Sequence, residues 1–370
     1  MKKIKYRLKA EWEEQIAILM AFPHKNSDWA IHIEVARECF VRIIEQILYF
    51  ESVILCVDIN DDEGMALLHT HFKKHITFAQ NETFKSYNQQ YGLHIVRVPT
   101  NDTWARDFGG ISVEAEGGIA LFDFVFNGWG LKYPANYDNQ ITQNIVCEAF
   151  KNTHLSPLVK RIFSSYRPIK TDMILEGGSI ESNGAGVLLT NTQCLLEKNR
   201  NSHLSQDEIE SKLKEYFGLD SVLWLTQGYL AGDDTDSHID TLARFISEDT
   251  IAYITCDDKQ DEHFESLKSM EAELRALKQS NGEPYKLIPL PFTQAIYDEQ
   301  GQRLPASYAN FLFVNGGLLV PTYGDKNDKK ALEILSLALP TRRVVGVDCR
   351  SLILWHGSLH CVSMQVYDTL

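Results

Sequence analysis

The stretch GDDTDSHIDTLARFISEDTIAYITC, residues 232–256, contains the two kinds of segment that decide the fold. Residues 236–246 begin with polar side chains, and residues 251–256 form a short apolar run. Two such segments separated by a few polar residues are typical of a β-hairpin, here with one chemically reactive arm. Further copies of the pair would indicate a repeat fold.

The pair recurs along the chain at a nearly constant distance. Apolar strands are predicted at residues 119–125, 187–193, 251–256 and 318–323. Their starts, at 119, 187, 251 and 318, are 68, 64 and 67 residues apart. The polar segments that precede them, interpreted as the other arms of hairpins, are residues 102–113, 175–182, 236–246 and 306–314. Turn residues such as Asn183-Gly184 separate the arms.

A helix and a returning strand are predicted after the hairpins. Ser205 and Glu208 have the spacing of a capping box, which predicts a helix start. Apolar residues at helical spacing predict helices at 262–279 and 328–339, and short apolar strands follow at 222–225, 286–289 and 343–348. The repeat is therefore strand, strand, helix, strand.

The two chain ends predict how the repeats close. The last polar segment, residues 356–365, has no apolar strand after it, and the first apolar strand, residues 16–22, has no polar segment before it. Pairing these ends would close a ring of five repeats without an exposed sheet edge. The first repeat is longer because residues 58–92 form an insertion. An ordinary α+β domain with accidental spacing is the alternative interpretation.

Composition places the chain among globular proteins. It has 370 residues, of which 44% are hydrophobic and 23% are charged. The formal net charge of -14 argues against nucleic acid as a partner and suits a small cationic substrate. No apolar run approaches the roughly 20 residues of a membrane span, and residues 1–14 lack a secretory signal core. We therefore expect a cytoplasmic protein that binds no nucleic acid and no membrane; the sequence allows a homo-oligomer without indicating one.

The seven cysteines are scattered without a CxxC pair, which argues against a disulfide framework and a zinc ribbon. Most are expected to be buried thiols in apolar runs, among them Cys56, Cys256 and Cys349. Cys361 differs because it follows His360 in the last polar segment. Most cysteines in proteins are buried core thiols. The position of Cys361 after His360 in the last polar segment favours a catalytic role instead.

The polar arms hold a thiol, histidines, several carboxylates and an aromatic ring. The arms are residues 101–107 (NDTWARD), 176–179 (EGGS), 232–240 (GDDTDSHID) and 356–361 (HGSLHC). In a ring of repeats, the starts of these arms would converge and their side chains would form one site.

This set of side chains suits attack on a guanidinium group. Carboxylates on different arms can bind the planar cation through paired, charge-assisted hydrogen bonds. A thiolate can attack the central carbon, and a histidine can protonate the departing ammonia and later activate water against the thiouronium intermediate. A third carboxylate can orient the histidine. No metal and no organic cofactor are required.

Four ordered motifs resemble those of the agmatine deiminases, a group related to bacterial peptidyl-arginine deiminases within the guanidine-modifying (pentein) superfamily. They are NDTWARD (101–107), LEGGSI (175–180), GDDTDSHIDTLARF (232–245) and the final His360-Cys361 pair. The resemblance implies a five-bladed pseudosymmetric α/β propeller, with residues 1–370 as one catalytic domain. It also implies hydrolysis of agmatine to N-carbamoylputrescine and ammonia through a covalent thiouronium.

The resemblance further implies roles for six residues at motif positions. The catalytic residues would be Cys361 as nucleophile, His238 as acid and base, and Glu176 as support for the histidine. The substrate-binding residues would be Asp107 and Asp240, which hold the guanidinium, and Trp104, which lines the pocket. No metal ligand is implied.

One motif departs from the family pattern. The family's terminal motif is a glycine-rich GGGNIHC, whereas residues 355–361 read WHGSLHC here. The nucleophile is retained and the glycine-rich approach to it is altered. The altered motif affects the prediction of the substrate tail more than the prediction of the reaction.

Several polar residues also have structural interpretations. The clustered aspartates are expected to be turn residues or N-caps, which is their usual role; they are Asp102, Asp233, Asp234 and Asp236. Arg106 is expected to neutralise neighbouring acids and keep them ionised together. The alternative interpretation of Trp104 is an ordinary core residue.

His238 and Asp240 have two alternative interpretations. Residues two apart in a strand face the same side, so both could point into one pocket. The pair could instead bind a metal. Metal is the weaker interpretation, because His360 and Cys361, adjacent in a predicted strand, would face opposite sides.

Three competing functions stay open from the sequence. One is deimination of peptidyl-arginine or free arginine by the same chemistry. The second is amidino transfer, in which an amine replaces water as acceptor. The third is a ring without catalysis that binds a cationic ligand through its acids.

Overall fold

A computed structural model describes residues 6–72, 78–79, 83–85, 91–166 and 168–368. The chain divides into two compact units. The large unit comprises Met1–Glu13 and Gly178–Cys361, and the small unit comprises Glu14–Gly177 and Val362–Leu370. In the ranges that the structure describes, no helix is both long enough and apolar enough to span a membrane.

The strands are short and distributed along the whole chain. In chain order they are β1 (Arg7–Leu8), β2 (Ala17–Ala21), β3 (Ser52–Val57), β4 (Phe78–Ala79), β5 (Thr83–Lys85), β6 (Gly92–Arg97), β7 (Ile111–Ala115), β8 (Gly118–Val125), β9 (Pro168–Ile174), β10 (Ile180–Ser182), β11 (Val187–Asn191), β12 (Ser221–Leu225), β13 (Ala243–Ser247), β14 (Thr250–Ile254), β15 (Lys286–Leu290), β16 (Leu312–Val314), β17 (Gly317–Thr322), β18 (Arg343–Asp348) and β19 (Met364–Val366).

The helices lie mostly between strands. They are α1 (Ile33–Ile47), α2 (Asp62–Phe72), α3 (Ala105–Phe108), α4 (Gly128–Leu131), α5 (Ile141–Lys151), α6 (Pro157–Ser165), α7 (Thr192–Leu195), α8 (Lys198–Asn201), α9 (Gln206–Phe217), α10 (Phe264–Ala276) and α11 (Asp328–Ala338). Short 3-10 helices occur at Asp28–His32, Asp138–Gln140, Gly177–Ser179, Ile239–Thr241 and Ile353–Trp355.

Three sheets of the large unit share one topology. Their strand orders are β10-β11-β12, β13-β14-β15 and β16-β17-β18. In each sheet the first two strands are antiparallel and the last two are parallel. A helix connects the parallel strands because such a pair needs a crossover connection. This order confirms the predicted repeat of strand, strand, helix and strand.

The small unit contains the same strand relations in two sheets. β7 is antiparallel to β8, and β8 is parallel to β9. In the other sheet β19 is antiparallel to β2, β2 is parallel to β3, and the sheet continues through β6, β5 and β4. Met364 lies opposite Leu19 and Val366 opposite Ala17, which confirms that the chain ends pair. None of the sheets within the described ranges is closed.

Local sequence accounts for the helices that cover these sheets. The capping box at the start of α9 is present, with Ser205 Oγ accepting from the Glu208 N–H at 3.3 Å and Glu208 Oε2 accepting from the Ser205 N–H at 2.8 Å. Gly218 is the C-cap of α9, and its left-handed φ of 65° and close approach to a backbone oxygen exclude a side chain. The predicted helices at 262–279 and 328–339 correspond to α10 and α11.

The insertion predicted at residues 58–92 is confirmed in part. Its described portion contains α2, β4 and β5, and its last residue begins β6, which pairs parallel with β3. Residues 73–77, 80–82 and 86–90 of the predicted insertion lie outside the described residues.

The polar arms differ from the prediction at their starts. Only the ends of the arms are strands; their chemically reactive starts form the short helix α3, the 3-10 helices Gly177–Ser179 and Ile239–Thr241, and a turn before β19. The strand argument for His238 and Asp240 is therefore wrong, because His238 is the N-cap of a 3-10 helix. The expectation that His360 and Cys361 face opposite sides is also wrong, since both contact one carboxylate, that of Asp240.

Candidate active site

Cys361 lies in a turn at the end of the large unit and is 6% exposed. Its Sγ is 3.7 Å from Asp240 Oδ2, to which a thiol can donate. The Nδ2 of Asn310 donates to the same sulfur at 3.3 Å. An amide donor favours the thiolate once the proton has left, because it hydrogen-bonds the charged form.

Asp240 is fully buried in the 3-10 helix Ile239–Thr241. Its Oδ2 accepts from His360 Nδ1 at 2.7 Å, whereas its Oδ1 has no hydrogen-bond donor among the described residues. Burial alone would raise the pKa of Asp240, but the hydrogen bond and charge of His360, with the charges of His238 and Arg244, hold it below its usual value. Asp240 is therefore an ionised carboxylate with one oxygen available to a cationic donor.

His360 contacts carboxylates through both ring nitrogens. Besides the Nδ1 contact to Asp240, its Nε2 lies 2.8 Å and 3.0 Å from the two carboxylate oxygens of Glu11. Its backbone N–H donates to Asn310 Oδ1 at 2.8 Å. The turn that carries Cys361 is thus fixed by side chains from three distant parts of the sequence.

His238 is 1% exposed and begins the 3-10 helix that carries Asp240. Its backbone N–H donates to Thr235 Oγ1 at 3.2 Å, and its carbonyl oxygen accepts from Thr241 Oγ1 at 2.9 Å. The charge of the imidazole acts on Asp240. In the large unit the structure thus brings Cys361, Asp240 and His238 into one electrostatic environment.

The aspartate cluster before His238 has a structural role, as expected. Asp233 Oδ1 accepts from the Thr235 N–H at 3.1 Å and hydroxyl at 2.6 Å, and its Oδ2 accepts from the Ser237 N–H at 2.8 Å. Asp236 pairs with Arg200 at 2.7 Å. These contacts form the turn that presents His238.

The small unit contains Asp107, which is buried in α3. Trp129 donates from Nε1 to Asp107 Oδ2 at 2.9 Å. Gly128, Trp129 and Gly130 have φ values of 68°, 55° and 79°, so this tryptophan occupies a left-handed conformation that a β-carbon disfavours. The strained turn aims the indole at the Asp107 carboxylate.

Trp104 lies directly before α3 and is 5% exposed. Its ring centroid is 5.5 Å from that of Trp29, whose Nε1 donates to Asp102 Oδ1 at 2.7 Å. Burial raises the pKa of Asp102 to about 6, against the lowering effect of the hydrogen bond from Trp29. Asp102 therefore anchors the aromatic pair.

Glu176 has no exposed surface and directly precedes Gly177. A β-carbon at Gly177 would lie 2.1 Å from the carbonyl oxygen of Arg106, so only glycine permits this approach of the two backbones. Within the small unit, the segments that carry Asp107 and Glu176 are therefore packed together. Arg106 itself donates to Gln365 Oε1 at 2.7 Å.

Sequence reasoning missed three residues that contact motif residues of their own unit: Glu11 and Asn310 in the large unit, and Trp129 in the small unit. Asn310 was detectable, because it is a polar residue just before an apolar strand in the arm 306–314. Trp129 carried a weaker signal as an aromatic between two glycines. No motif near Glu11 in the sequence indicates its contact with His360.

Three other cysteines, Cys56, Cys256 and Cys349, are buried, as predicted for core residues. Cys349 and Cys56 have no exposed surface, and burial raises the pKa of Cys56. Burial also raises the pKa of Cys256. A raised pKa disfavours the thiolate, so Cys56 and Cys256 are poor nucleophiles, whereas the amide donor of Asn310 distinguishes Cys361.

An α/β fold of repeated antiparallel and parallel strand pairs, with a buried cysteine beside an ionised carboxylate, defines a candidate thiol enzyme. The family model of the Porphyromonas-type peptidyl-arginine deiminases matches residues 7–366. The chain belongs to this family, as the resemblance implied.

Individual relatives cover nearly the whole chain. A protein of Streptococcus mutans serotype c with the provisional name agmatine deiminase is 31% identical, over 97% of this chain and 95% of its own length. A crystal structure with the provisional name peptidyl-arginine deiminase is 49% identical, with a TM-score of 0.87 and 99% of each chain covered. The substrate-bound agmatine deiminase of C. jejuni is 37% identical, with a TM-score of 0.85 and coverage of 100% of this chain and 98% of that one.

Proposed function

We propose that this chain hydrolyses agmatine to N-carbamoylputrescine and ammonia, with Cys361 as nucleophile. It would then be a hydrolase acting on a C–N bond of a linear amidine. The observation that carries the proposal is the contact between Cys361 Sγ and Asp240, whose other oxygen has no donor among the described residues. The similarity to the substrate-bound agmatine deiminase of C. jejuni supports agmatine as the guanidine.

The first step is binding of the guanidinium by carboxylates. Asp240 Oδ1 would accept from one guanidinium N–H, and Asp107 would accept from another. Ionised Asp240 would attract the substrate cation, and its Oδ2 contact with Cys361 would hold the sulfur near the central carbon. Trp104 would line the pocket for the aliphatic tail.

The second step is covalent. The Cys361 thiolate attacks the guanidinium carbon, a C–S bond forms, and the C–N bond to one terminal nitrogen breaks after His238 protonates it. Ammonia leaves, and the substrate stays attached as a thiouronium. His238 then takes a proton from water, the water oxygen bonds to the same carbon, and the C–S bond breaks to release the ureido product. Glu176 would orient His238 throughout.

Other expectations accompany this proposal. The five-bladed propeller is supported by the recurring sheets and the paired chain ends. That residues 1–370 act as one catalytic domain, that the protein is cytoplasmic, and that it binds no nucleic acid or membrane stay predictions. The sequence leaves the oligomeric state open.

Deimination of a peptidyl-arginine is the second candidate. It is favoured by the name of the family and by the 49% identical structure that shares it. Both candidates use the same site, so they differ only in what the substrate tail contacts.

Parallel assays with agmatine, free arginine and an arginine peptide would test the proposal. Ureido product and ammonia are measured in buffer that contains no amine acceptor, with the Cys361→Ala variant as control. We expect turnover of agmatine alone by the wild type. Turnover restricted to arginine or the peptide would contradict the substrate, ureido product without Cys361 would contradict the mechanism, and no ammonia with any substrate would favour amidino transfer or ligand binding.

A further inference from the structure

His360 is enclosed by acids in a buried chain of charged side chains in the large unit. Asp240 contacts its Nδ1 at 2.7 Å, and Glu11 contacts its Nε2 at 2.8 Å. A carboxylate oxygen can only accept, so each ring nitrogen must donate a proton. With both acids ionised, this geometry favours a doubly protonated imidazolium.

The chain continues beyond Glu11 through Arg244. The Nη2 atom of Arg244 donates to Glu11, and its Nε donates to Glu181 at 2.6 Å. Arg244 has no exposed surface, and its Nη1 also donates to the Phe311 carbonyl oxygen at 2.8 Å. We call this series the charge chain: Asp240, His360, Glu11, Arg244 and Glu181.

Charges buried at this depth are costly unless they are paired. The three carboxylates and two cations of the charge chain leave one net negative charge. Asp240 lies at one end of the charge chain, and its Oδ1 has no hydrogen-bond donor among the described residues. A single guanidinium at Asp240 would neutralise the chain.

We propose that His360 is a positioning residue, held as an imidazolium between Glu11 and Asp240, that keeps Asp240 ionised and aims its Oδ1 at the substrate cation. The proposal rests on the proposed function of Asp240 as a guanidinium ligand. It also makes the segment that carries Glu11 part of the catalytic site. No atom of His360 or Glu11 needs to contact the substrate.

Other titratable groups also act on Asp240. His238 and Arg244 lower its pKa, Cys361 donates to its Oδ2, and Asp233 is near enough to interact with its charge. These groups are unchanged in variants of His360 and Glu11. A change in the pH profile of such variants therefore reports on the charge chain.

Charge rescue gives the sharpest test. In His360→Asn the amide can still donate to Asp240, but the cation is lost and the chain carries one more negative charge. We expect the acid limb of the kcat/KM profile for agmatine to move up by about one pH unit, because Asp240 binds a proton more readily. Adding Glu11→Gln removes the excess charge and should return the limb close to its wild-type position.

The matched control is Glu13→Gln in the same segment. Glu13 pairs with Arg7 at 2.8 Å, outside the charge chain. His360→Asn combined with Glu13→Gln should behave as His360→Asn alone. An acid limb of His360→Asn that coincides with the wild type, or equal rescue by Glu11→Gln and Glu13→Gln, would overturn the proposal.

A measurement without substrate separates this proposal from the proposed function. In wild-type protein with ¹⁵N-labelled histidine, the signal lost in His360→Asn identifies His360. We expect both of its ring nitrogens to be protonated at pH 7.5, about one unit above the usual histidine pKa. One unprotonated nitrogen would contradict the imidazolium even if agmatine is turned over, whereas an inactive wild type with this imidazolium would contradict only the proposed function.

Discussion

Two carboxyl groups, one in each compact unit, differ in the charge of the groups that contact them. Asp240 in the large unit is surrounded by His360, His238 and Arg244, and its pKa is lowered although burial would raise it. Asp102 in the small unit accepts from the neutral indole of Trp29, and burial raises its pKa to about 6. Burial acts to raise the pKa at both groups, so the cationic partners of Asp240 account for its lowered pKa.

This difference separates a substrate-binding acid from a structural one. Asp240 has an oxygen without a donor among the described residues and can attract a guanidinium, whereas Asp102 accepts from Trp29 and serves as an anchor. The aspartates look alike in the sequence, since both stand in polar arms before a strand.

The largest effect is expected at the thiol. Cys361→Ala and His238→Ala should each lower kcat for agmatine by about a thousandfold or more, because each removes a group needed for covalent catalysis. Cys349→Ala is the matched control, since Cys349 is a core cysteine with no exposed surface. Ureido product is measured at saturating agmatine. Full activity in Cys361→Ala, or equal losses in all three variants, would refute the assignment of the nucleophile.

The two carboxyl groups themselves should give the next largest difference. Asp240→Asn keeps the shape but removes the charge that binds the guanidinium, and we expect kcat/KM to fall by about a hundredfold. Asp102→Asn can still accept from Trp29, so a change of less than about threefold is expected. Steady-state kinetics at pH 8 measures both. Similar losses in the two variants would contradict the distinction between a substrate-binding and a structural carboxyl group.

A smaller effect is expected from the indole that supports Asp107. Trp129→Phe removes the Nε1–H donor at 2.9 Å, and kcat/KM should fall about tenfold. Trp224→Phe is the control, because its Nε1 donates at 2.9 Å to Glu210, which has no role in the proposed site. Equal kinetics in both variants would mean that Trp129 does not position Asp107.

The smallest effect concerns stability. The pKa of Asp102 is raised from 3.8 to about 6, so its contribution to the free energy of unfolding is present below about pH 4 and is lost as pH rises through 6. The free energy of unfolding of Asp102→Asn minus that of the wild type should therefore rise between pH 4 and 6 and stay constant above pH 7. Urea unfolding at a series of pH values measures this difference, and a flat difference would contradict the raised pKa.

The sequence was sufficient to predict the repeat and the positions of the polar residues. The spacing of the apolar strands predicted the repeat, and the unmatched segments at the two chain ends predicted their pairing, because each repeat must bury the same apolar strand. One polar residue lies two to four positions before a strand in each repeat: Asp107, Glu176, Asp240, Asn310 and Cys361. If this regularity had been applied to all five arms, Asn310 would also have been predicted as a site residue.

Other parts of the site could not be predicted for physical reasons. Glu11 and His360 are 349 residues apart, and only tertiary structure brings them together. The starts of the polar arms were expected to be strands, but they turn in 3-10 helices that place His238 and Asp240 differently. The left-handed turn at Trp129 is a non-glycine conformation that no local propensity favours.

The most direct test of the account is whether Cys361 becomes bonded to the amidine carbon of agmatine. Wild-type protein is mixed with agmatine, quenched with acid during turnover, digested and examined by peptide mass spectrometry. We predict that the peptide with Cys361 gains the mass of agmatine minus ammonia, while the peptide with Cys349 stays unmodified. Ammonia release with the adduct on another residue, or with no adduct at any quench time, would contradict it.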